Sequence, residues 1–153
     1  MKTLTEAIWF IDTLAHVRVP GGATDGRLAI VEMVGPRGHM PPLHIHHRED
    51  EAFVVLEGEL TVYVGNDTTS LPAGELAFAP KEVPHTFRVE SGTARWLAVV
   101  SPAGFDRFVT AVGQPAEEAA LPSDPVLPAP DEFAAICDAY GIELLGPPGT
   151  LPS

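Results

Sequence analysis

Three of the six histidines in the chain fall in one short run that is followed closely by acidic residues. The run is His44-Ile45-His46-His47, and the acidic group is Glu49-Asp50-Glu51. Residues two apart on an extended strand point to the same side, so His44 and His46 can place two imidazoles side by side while His47 points away. Two imidazoles beside carboxylates indicate a site for a transition-metal ion.

The acidic group offers more than one candidate for a carboxylate ligand. Glu51 shares strand parity with Phe53 and Val55, which would then also face inward. Glu49 and Asp50 are the competing candidates, because a one-residue β-bulge would exchange their roles with Glu51.

His85 is the candidate for a third imidazole ligand. It opens a stretch in which Phe87 and Val89 lie on its own face, and this alternation favours an inward His85. Three imidazoles and one carboxylate suit Fe(II), Mn(II), Ni(II), Co(II) or Zn(II). Four protein ligands also leave positions open for substrate or dioxygen on a five- or six-coordinate ion. The residues therefore predict one divalent transition metal without choosing among these elements.

Short antiparallel strands would have to position these residues. From about residue 7 to residue 100, apolar stretches rich in β-formers alternate with Gly and Pro turns, which is typical of a barrel or sandwich. Glu57-Gly58 predicts a tight reversal. The expected strands are Trp9–Val19, Arg27–Val34, His44–His46, Ala52–Glu57, Leu60–Val64, Leu76–Phe78, His85–Val89 and Arg95–Val100.

The last third of the chain has a different character. Apolar residues at helical spacing between Phe105 and Val112 predict a short helix that closes the barrel, giving a first unit over residues 1–113. Residues 114–153 predict a Pro-rich connector, a short helix and an irregular tail that pack on the barrel. Asp131 is the expected N-cap of this helix, and Gly141 is the expected end.

Composition limits the partners. A chain of 153 residues fits one domain, and a net charge of −12 with a pI near 4.7 opposes binding to nucleic acid or to anionic membranes. The apolar run around Ile8 to Ile11 is too short to span a membrane or to act as a signal sequence. We therefore expect a cytoplasmic protein. Cys137 is the single cysteine, and we interpret it as a packed apolar residue.

Two segments resemble the conserved motifs of the cupin family. Residues 38–58, GHMPPLHIHHREDEAFVVLEG, resemble the first motif, which is a glycine, five residues, His-x-His, four residues, a glutamate, six residues and a glycine. Residues 74–89, GELAFAPKEVPHTFRV, resemble the second motif. Glu82 stands where a glycine is usual and Val89 where an asparagine is usual, which affects only the local turn geometry because neither is a ligand in the family.

The resemblance implies an antiparallel jelly-roll β-barrel with short C-terminal helices and the metal ligands His44, His46, Glu51 and His85. The sequence is similar to single-domain cupins described as quercetin-dioxygenase-like. That similarity implies a metal-dependent dioxygenase acting on a hydroxylated aromatic or enolisable small molecule, with Glu51 as the catalytic proton acceptor. A metal-dependent isomerase or cyclase and a non-catalytic binding protein are the alternatives.

Five side chains are candidates for an apolar substrate pocket around the metal, although each could equally be plain barrel core. They are Met40, Phe53, Phe78, Phe87 and Trp96. His16 and His39 are expected to be ordinary polar residues. The strand Trp9–Val19 is placed to pair with a second subunit, which predicts a homodimer.

Overall fold

Most strands of the protein alternate inward apolar residues with outward polar ones. The computed structural model describes residues 6–153. In the strand Asp50–Glu57, for example, Glu51, Phe53 and Val55 are buried while the residues between them are partly exposed. Residues 1–5, the start of the predicted barrel segment, lie outside the described part. No helix within residues 6–153 combines the length and apolar character needed to cross a membrane.

Strands make up most of the chain, and the elements are numbered in chain order. The α-helices lie after residue 104, and one short 3-10 turn lies at Gly21–Ala23. The elements are β1 (Ala7–Phe10), β2 (Thr13–Val19), β3 (Ala29–Pro36), β4 (Leu43–His46), β5 (Asp50–Glu57), β6 (Glu59–Val64), β7 (Asp67–Pro72), β8 (Leu76–Ala79), β9 (His85–Val89), β10 (Thr93–Ser101), α1 (Phe105–Val112), β11 (Gln114–Pro115), α2 (Pro130–Ala139) and β12 (Ile142–Gly146).

The strands form two antiparallel sheets that enclose the core. One sheet has seven strands in the order β11-β1-β2-β3-β10-β5-β8, and the other has five in the order β12-β4-β9-β6-β7. Fully buried side chains from both sheets, including Phe53, Leu60 and Trp96, fill the space between them. This is the predicted antiparallel jelly-roll barrel with short C-terminal helices.

The N-terminal strand differs from the prediction. Trp9–Val19 is not one strand, because the chain reverses at Ile11 and Asp12 and separates β1 from β2. Ile11 has a positive φ of 59°, and β2 then pairs with β1 on one side and β3 on the other. Both edges of β2 are therefore already paired within the chain.

Three strands were not expected from the sequence, and one of them, β11, has only two residues. In β7 only Leu71 is buried, so this polar edge strand lacks the alternation that marks the others. The tail that was expected to be irregular begins with β12, which pairs with β4 and places Ile142 opposite His46 and Leu144 opposite His44. The tail thus borders the strand that carries two of the candidate ligands.

The start of α2 also differs from the prediction. Ala129 is the N-cap and Pro130 occupies the first turn, so Asp131 lies inside the helix instead of capping it. Proline suits this position because its missing N–H would have no partner within the helix. Gly141 follows the end of the helix with a φ of 71°, the left-handed conformation in which glycine is favoured.

Candidate metal centre

Four side chains from three strands converge at one point between the two sheets. His44 and His46 lie two apart on β4, and His85 on β9 is paired directly with His44. Glu51 comes from β5 in the opposite sheet. One nitrogen or oxygen atom of each residue lies within 4.8 Å of those of the other three. The structure therefore brings together the four residues that the sequence predicted as metal ligands.

Backbone carbonyl groups fix the orientation of two of the imidazoles. His44 Nδ1 lies 2.7 Å from the carbonyl oxygen of Pro42, and His85 Nδ1 lies 3.2 Å from that of Val83. A carbonyl oxygen only accepts hydrogen bonds, so each Nδ1 must carry the proton and donate it. The lone pair of each Nε2 is then free to bind a cation, as is usual for histidine ligands.

A carboxylate orients the third imidazole. His46 Nδ1 lies 2.6 Å from Glu49 Oε1, and Glu49 is only 3% exposed. Asp50, the other competing candidate, accepts a hydrogen bond of 2.9 Å from the backbone N–H of Lys81. Of the three acidic residues, Glu51 is the one whose carboxylate lies near the Nε2 atoms of the cluster, at 3.3 Å from His46 Nε2 and 3.4 Å from His85 Nε2.

The buried nitrogen atoms of this cluster fit a metal ion. Nε2 of His46 and Nε2 of His85 are buried and make no hydrogen bond to any of residues 6–153. A buried polar group without a partner costs about 1–3 kcal/mol, so unpaired groups of this kind call for an explanation. A divalent cation bound to these two nitrogen atoms and to Glu51 would satisfy all of them, and the mixed nitrogen and oxygen donor set suits a transition metal.

The charges of the cluster also favour a cation. Burial, together with the neighbouring His85 and His46, holds the pKa of His44 well below its usual range, so His44 is neutral. Burial acts to raise the pKa of Glu51, yet His46 and His85 lower it below its usual range, so Glu51 is anionic. Burial alone would lower the pKa of His46, but Glu49 and Glu51 raise it to about 9. A metal ion would therefore displace a proton from His46 at neutral pH.

Comparison with known proteins agrees with the fold and with this cluster. Residues 30–100, which include all four candidate ligands, match the family model described as the cupin domain. The chain therefore carries a cupin domain over these residues. It is 27% identical over 136 residues to quercetin 2,3-dioxygenase of Bacillus subtilis strain 168, an alignment that covers 89% of this chain and 40% of that enzyme. This cupin thus spans about two fifths of the length of that relative.

Solved structures share the fold of this cupin at low sequence identity. A protein described as a predicted oxalate decarboxylase from Thermotoga maritima superimposes with a TM-score of 0.60 at 18% identity, over 67% of this chain and 99% of that one. KdgF from a Halomonas species gives a TM-score of 0.57 at 20% identity, over 63% and 84%. Both likenesses concern the barrel fold alone.

The ligand cluster of this cupin opens onto a largely apolar cavity. The barrel contributes Met33, Phe87 and Trp96 to the wall, and the elements after the barrel contribute residues from α1, α2 and β12, namely Phe105, Phe108, Phe133, Cys137, Ile142 and Leu144. Walls of this kind favour a small aromatic or apolar molecule.

The five predicted pocket residues occupy three kinds of position. Phe87 and Trp96 line the cavity, whereas Met40 and Phe53 are not part of its wall. The buried ring of Phe53 lies behind the wall, with its centroid 5.2 Å from that of Phe87. Phe78 is 55% exposed and lies outside the cavity, because it pairs with Ala52 on β5 and therefore points to the outer side of the sheet.

The sequence analysis did not identify His39 as part of this site. His39 is 5% exposed, lines the same cavity as the ligand cluster, and has its Nδ1 2.5 Å from Oδ1 of Asp12. The two residues are 27 positions apart and lie in different loops, so no spacing rule links them. The aromatic residues of α1 were recognised as one face of a helix, but not as part of the cavity wall.

His47 points away from the cluster, as strand parity predicted. It is exposed, with Nδ1 2.8 Å from Glu82 and Nε2 2.9 Å from Glu143. Glu82 occupies the position where the second cupin motif usually has glycine, and it adopts a positive φ of 70°. The turn therefore has the left-handed conformation that glycine adopts most readily, even though a glutamate occupies it.

Proposed function

We propose that this cupin is a metal-dependent dioxygenase that acts on a hydroxylated aromatic or enolisable small molecule. The observation that carries this proposal is the opening of the four-residue cluster onto a cavity with aromatic walls. Similarity to the Bacillus quercetin 2,3-dioxygenase along most of the chain supports the reaction class.

His44, His46, Glu51 and His85 would hold the ion. When bound, Fe, Mn, Ni, Co or Zn in its divalent state would supply a Lewis acid and a coordination position for dioxygen. The hydrogen bonds to each Nδ1 keep the imidazoles oriented before the substrate arrives. This preorganisation lowers the cost of assembling the site.

Glu51 is the proposed proton acceptor. Its Oε1 faces His46 and His85, and its second carboxylate oxygen is the atom that would receive the proton of the substrate hydroxyl. The positive charge of a metal ion held by the cluster would keep this carboxylate anionic at neutral pH, so that it can accept a proton. The aromatic walls exclude water, which strengthens the attraction between the substrate anion and the positive charge of the site.

Oxygen uptake by the purified, metal-loaded protein tests this function. We expect uptake with at least one class in a panel of flavonols, catechols and diketones, and a large loss of uptake in Glu51→Gln. His47→Ala is the matched control, because His47 faces outward. A lack of uptake across the whole panel would contradict the proposal.

Other outcomes of this experiment would support the alternatives. Product formation without oxygen consumption would indicate the metal-dependent isomerase or cyclase. Ligand binding without any turnover, with the affinity unchanged in Glu51→Gln, would indicate a non-catalytic binding protein.

A cytoplasmic location and a homodimer also belong to this proposal. With β2 paired on both edges, the outer edge strand β8 is the more suitable contact, because Leu76 and Phe78 expose 62% and 55% of their surface there. Apolar side chains on an open edge favour pairing with another strand. Size-exclusion chromatography with light scattering should return a dimer, and a monomer at working concentrations would contradict this part.

A further inference from the structure

His39 is a buried imidazole in the wall of the cavity, and it is not one of the four candidate metal ligands. Its ring stacks on Trp96, with the centroids 6.0 Å apart and the planes at 27°, and its centroid lies 5.7 Å from that of Phe87. Both of these aromatic residues line the cavity. His39 is therefore held among aromatic rings while it faces the space in which a small molecule would bind.

The hydrogen bond to Asp12 determines which nitrogen of His39 is left for a ligand. Burial acts to raise the pKa of Asp12, but the hydrogen bond from His39 opposes it, and that pKa lies below its usual value. The carboxylate is thus ionised and can only accept, so Nδ1 of His39 carries the proton. The hydrogen bond to Asp12 uses Nδ1, so in the neutral imidazole the lone pair of Nε2 can accept a hydrogen bond from a ligand.

The backbone around Asp12 is held in an unusual conformation. Ile11 has a φ of 59°, which is rare for a β-branched residue, and it exchanges two backbone hydrogen bonds of 3.0 and 2.7 Å with Val126 of the connector. On the other side of Asp12, the Thr13 hydroxyl donates a 2.6 Å hydrogen bond to the carbonyl oxygen of Phe10. Strain that the surroundings maintain in this way is concentrated at functional sites.

The rest of the cavity wall offers few alternatives for polar recognition. Among the described residues that line it, the titratable side chains outside the metal cluster are His39 and Cys137. Burial raises the pKa of the Cys137 thiol to about 11, so this group stays protonated and is a weak partner. The indole N–H of Trp96 also belongs to the wall and has no partner among residues 6–153, but it can only donate. A hydroxyl that donates at the far side of a bound molecule would therefore meet His39.

We propose that His39, oriented by Asp12, accepts a hydrogen bond from a second hydroxyl group of the substrate and so selects molecules that carry a hydroxyl beyond the metal-binding oxygen atoms. The inference rests on the proposed function in that it takes the cavity as the place where the substrate binds. It does not require that dioxygen reacts there. The favoured ligands are aromatic compounds that carry a hydroxyl group beyond those that would bind the metal.

Binding of matched catechols to the zinc-loaded protein tests this role without any redox chemistry. The pairs are 3,4-dihydroxybenzyl alcohol against 4-methylcatechol, and 4-(2-hydroxyethyl)catechol against 4-ethylcatechol, so the members differ only in the distal hydroxyl. Calorimetry should show that the wild-type protein binds the hydroxylated member of at least one pair about three- to tenfold more tightly, the range expected for one hydrogen bond.

Variants of His39 and Asp12 separate recognition from a purely structural role. In His39→Phe the ratio of the two affinities should fall to about one, while His39→Gln, which keeps an acceptor, should retain part of it. Asp12→Asn should reduce the ratio, because an amide no longer fixes the proton on Nδ1. His16→Phe is the control, since His16 on β2 is not part of the cavity wall.

Each result of this experiment bears on the proposal. An unchanged ratio in His39→Phe, or equal affinities within both pairs for the wild-type protein, would overturn it. A failure of every catechol to bind to the zinc-loaded protein would overturn this role, while oxygen uptake with a flavonol or a diketone would leave the proposed function standing. Selective binding that depends on His39 but is accompanied by no oxygen uptake with any metal would support this role and reject the dioxygenase.

Discussion

The ligand cluster and the apolar wall of the same cavity are built from different parts of the chain. All four ligands lie between residues 44 and 85 on strands of the barrel. The wall gathers side chains from Phe10 on β1 to Leu144 on β12, with both helices between them. The metal chemistry is thus encoded in a short stretch, whereas substrate selection depends on packing between distant elements. The two properties can therefore change independently, and separate variants should affect only one of them.

The largest expected effect separates the buried aromatic residues from the exposed ones. Phe53→Ala should lower the free energy of unfolding of the metal-free protein by about 3–5 kcal/mol, because it leaves a cavity in the core. At dilutions where the protein is a monomer, Phe78→Ala should change it by no more than about 0.5 kcal/mol, because that ring is largely in solvent. Urea denaturation measures both values. Equal losses in the monomer would contradict the placement of Phe78 outside the core.

Glu49→Gln should weaken metal binding about 10–100-fold, the usual cost of losing the carboxylate behind a histidine ligand. The variant removes the anionic acceptor that lies 2.6 Å from His46 Nδ1. Asp50→Asn is the matched control, since its carboxylate contacts the backbone of Lys81 and not a ligand. Competition with a chelator would measure both affinities. Equal affinities in the two variants would contradict a role for Glu49 in orienting His46.

The affinity for metal should rise with pH by about tenfold per unit up to about pH 9, because one proton must leave His46. A group whose pKa is raised to about 9 is protonated below that value, so proton competition is strongest at low pH and disappears above it. Calorimetry in buffers with different ionisation enthalpies would count the released proton. An affinity that does not change between pH 7 and pH 9 would contradict a protonated His46.

The smallest effect should come from the wall that α2 contributes. Phe133→Ala should weaken catechol binding about fivefold, the equivalent of about 1 kcal/mol of lost apolar contact, without changing the metal content. Leu127→Ala in the connector is the control, since its side chain is 51% exposed and lines no part of the cavity. A loss of metal in Phe133→Ala would show that the wall and the ligand cluster are not independent.

The same contrast explains what the sequence could predict. The convergence of the four ligands was predictable for two reasons. The local sequence shows which residues of each strand share a face, and the long cupin motif fixes the spacing of His44, His46, Glu51 and His85. Phe78, like Phe53, is an aromatic residue in a predicted strand, so the sequence alone does not tell them apart. The face of the sheet to which Phe78 points is set by its pairing with Ala52 on the neighbouring strand. Registers between strands are a long-range property and do not show in the local pattern.

Other features depend on packing between segments far apart in the chain. The turn at Ile11 is held by Val126 of the connector, more than a hundred residues later. β12 is a strand because β4 offers it an open edge, although its own sequence resembles a tail. The hydrogen bond between His39 and Asp12 joins two loops that only the closed barrel brings together. The cavity wall and His39, to which we assign substrate recognition, could therefore be found only from the structure.

The central claim is that His44, His46, Glu51 and His85 bind one divalent metal ion, and elemental analysis tests it most directly. Protein purified without a chelating tag should contain about one transition-metal ion per chain after exposure to the divalent metals. His44→Ala, His46→Ala and His85→Ala should each retain less than about a tenth of that, while His47→Ala should retain all of it. A wild-type protein that holds none of these metals, or His85→Ala and His46→Ala proteins that hold as much as His47→Ala, would contradict the account.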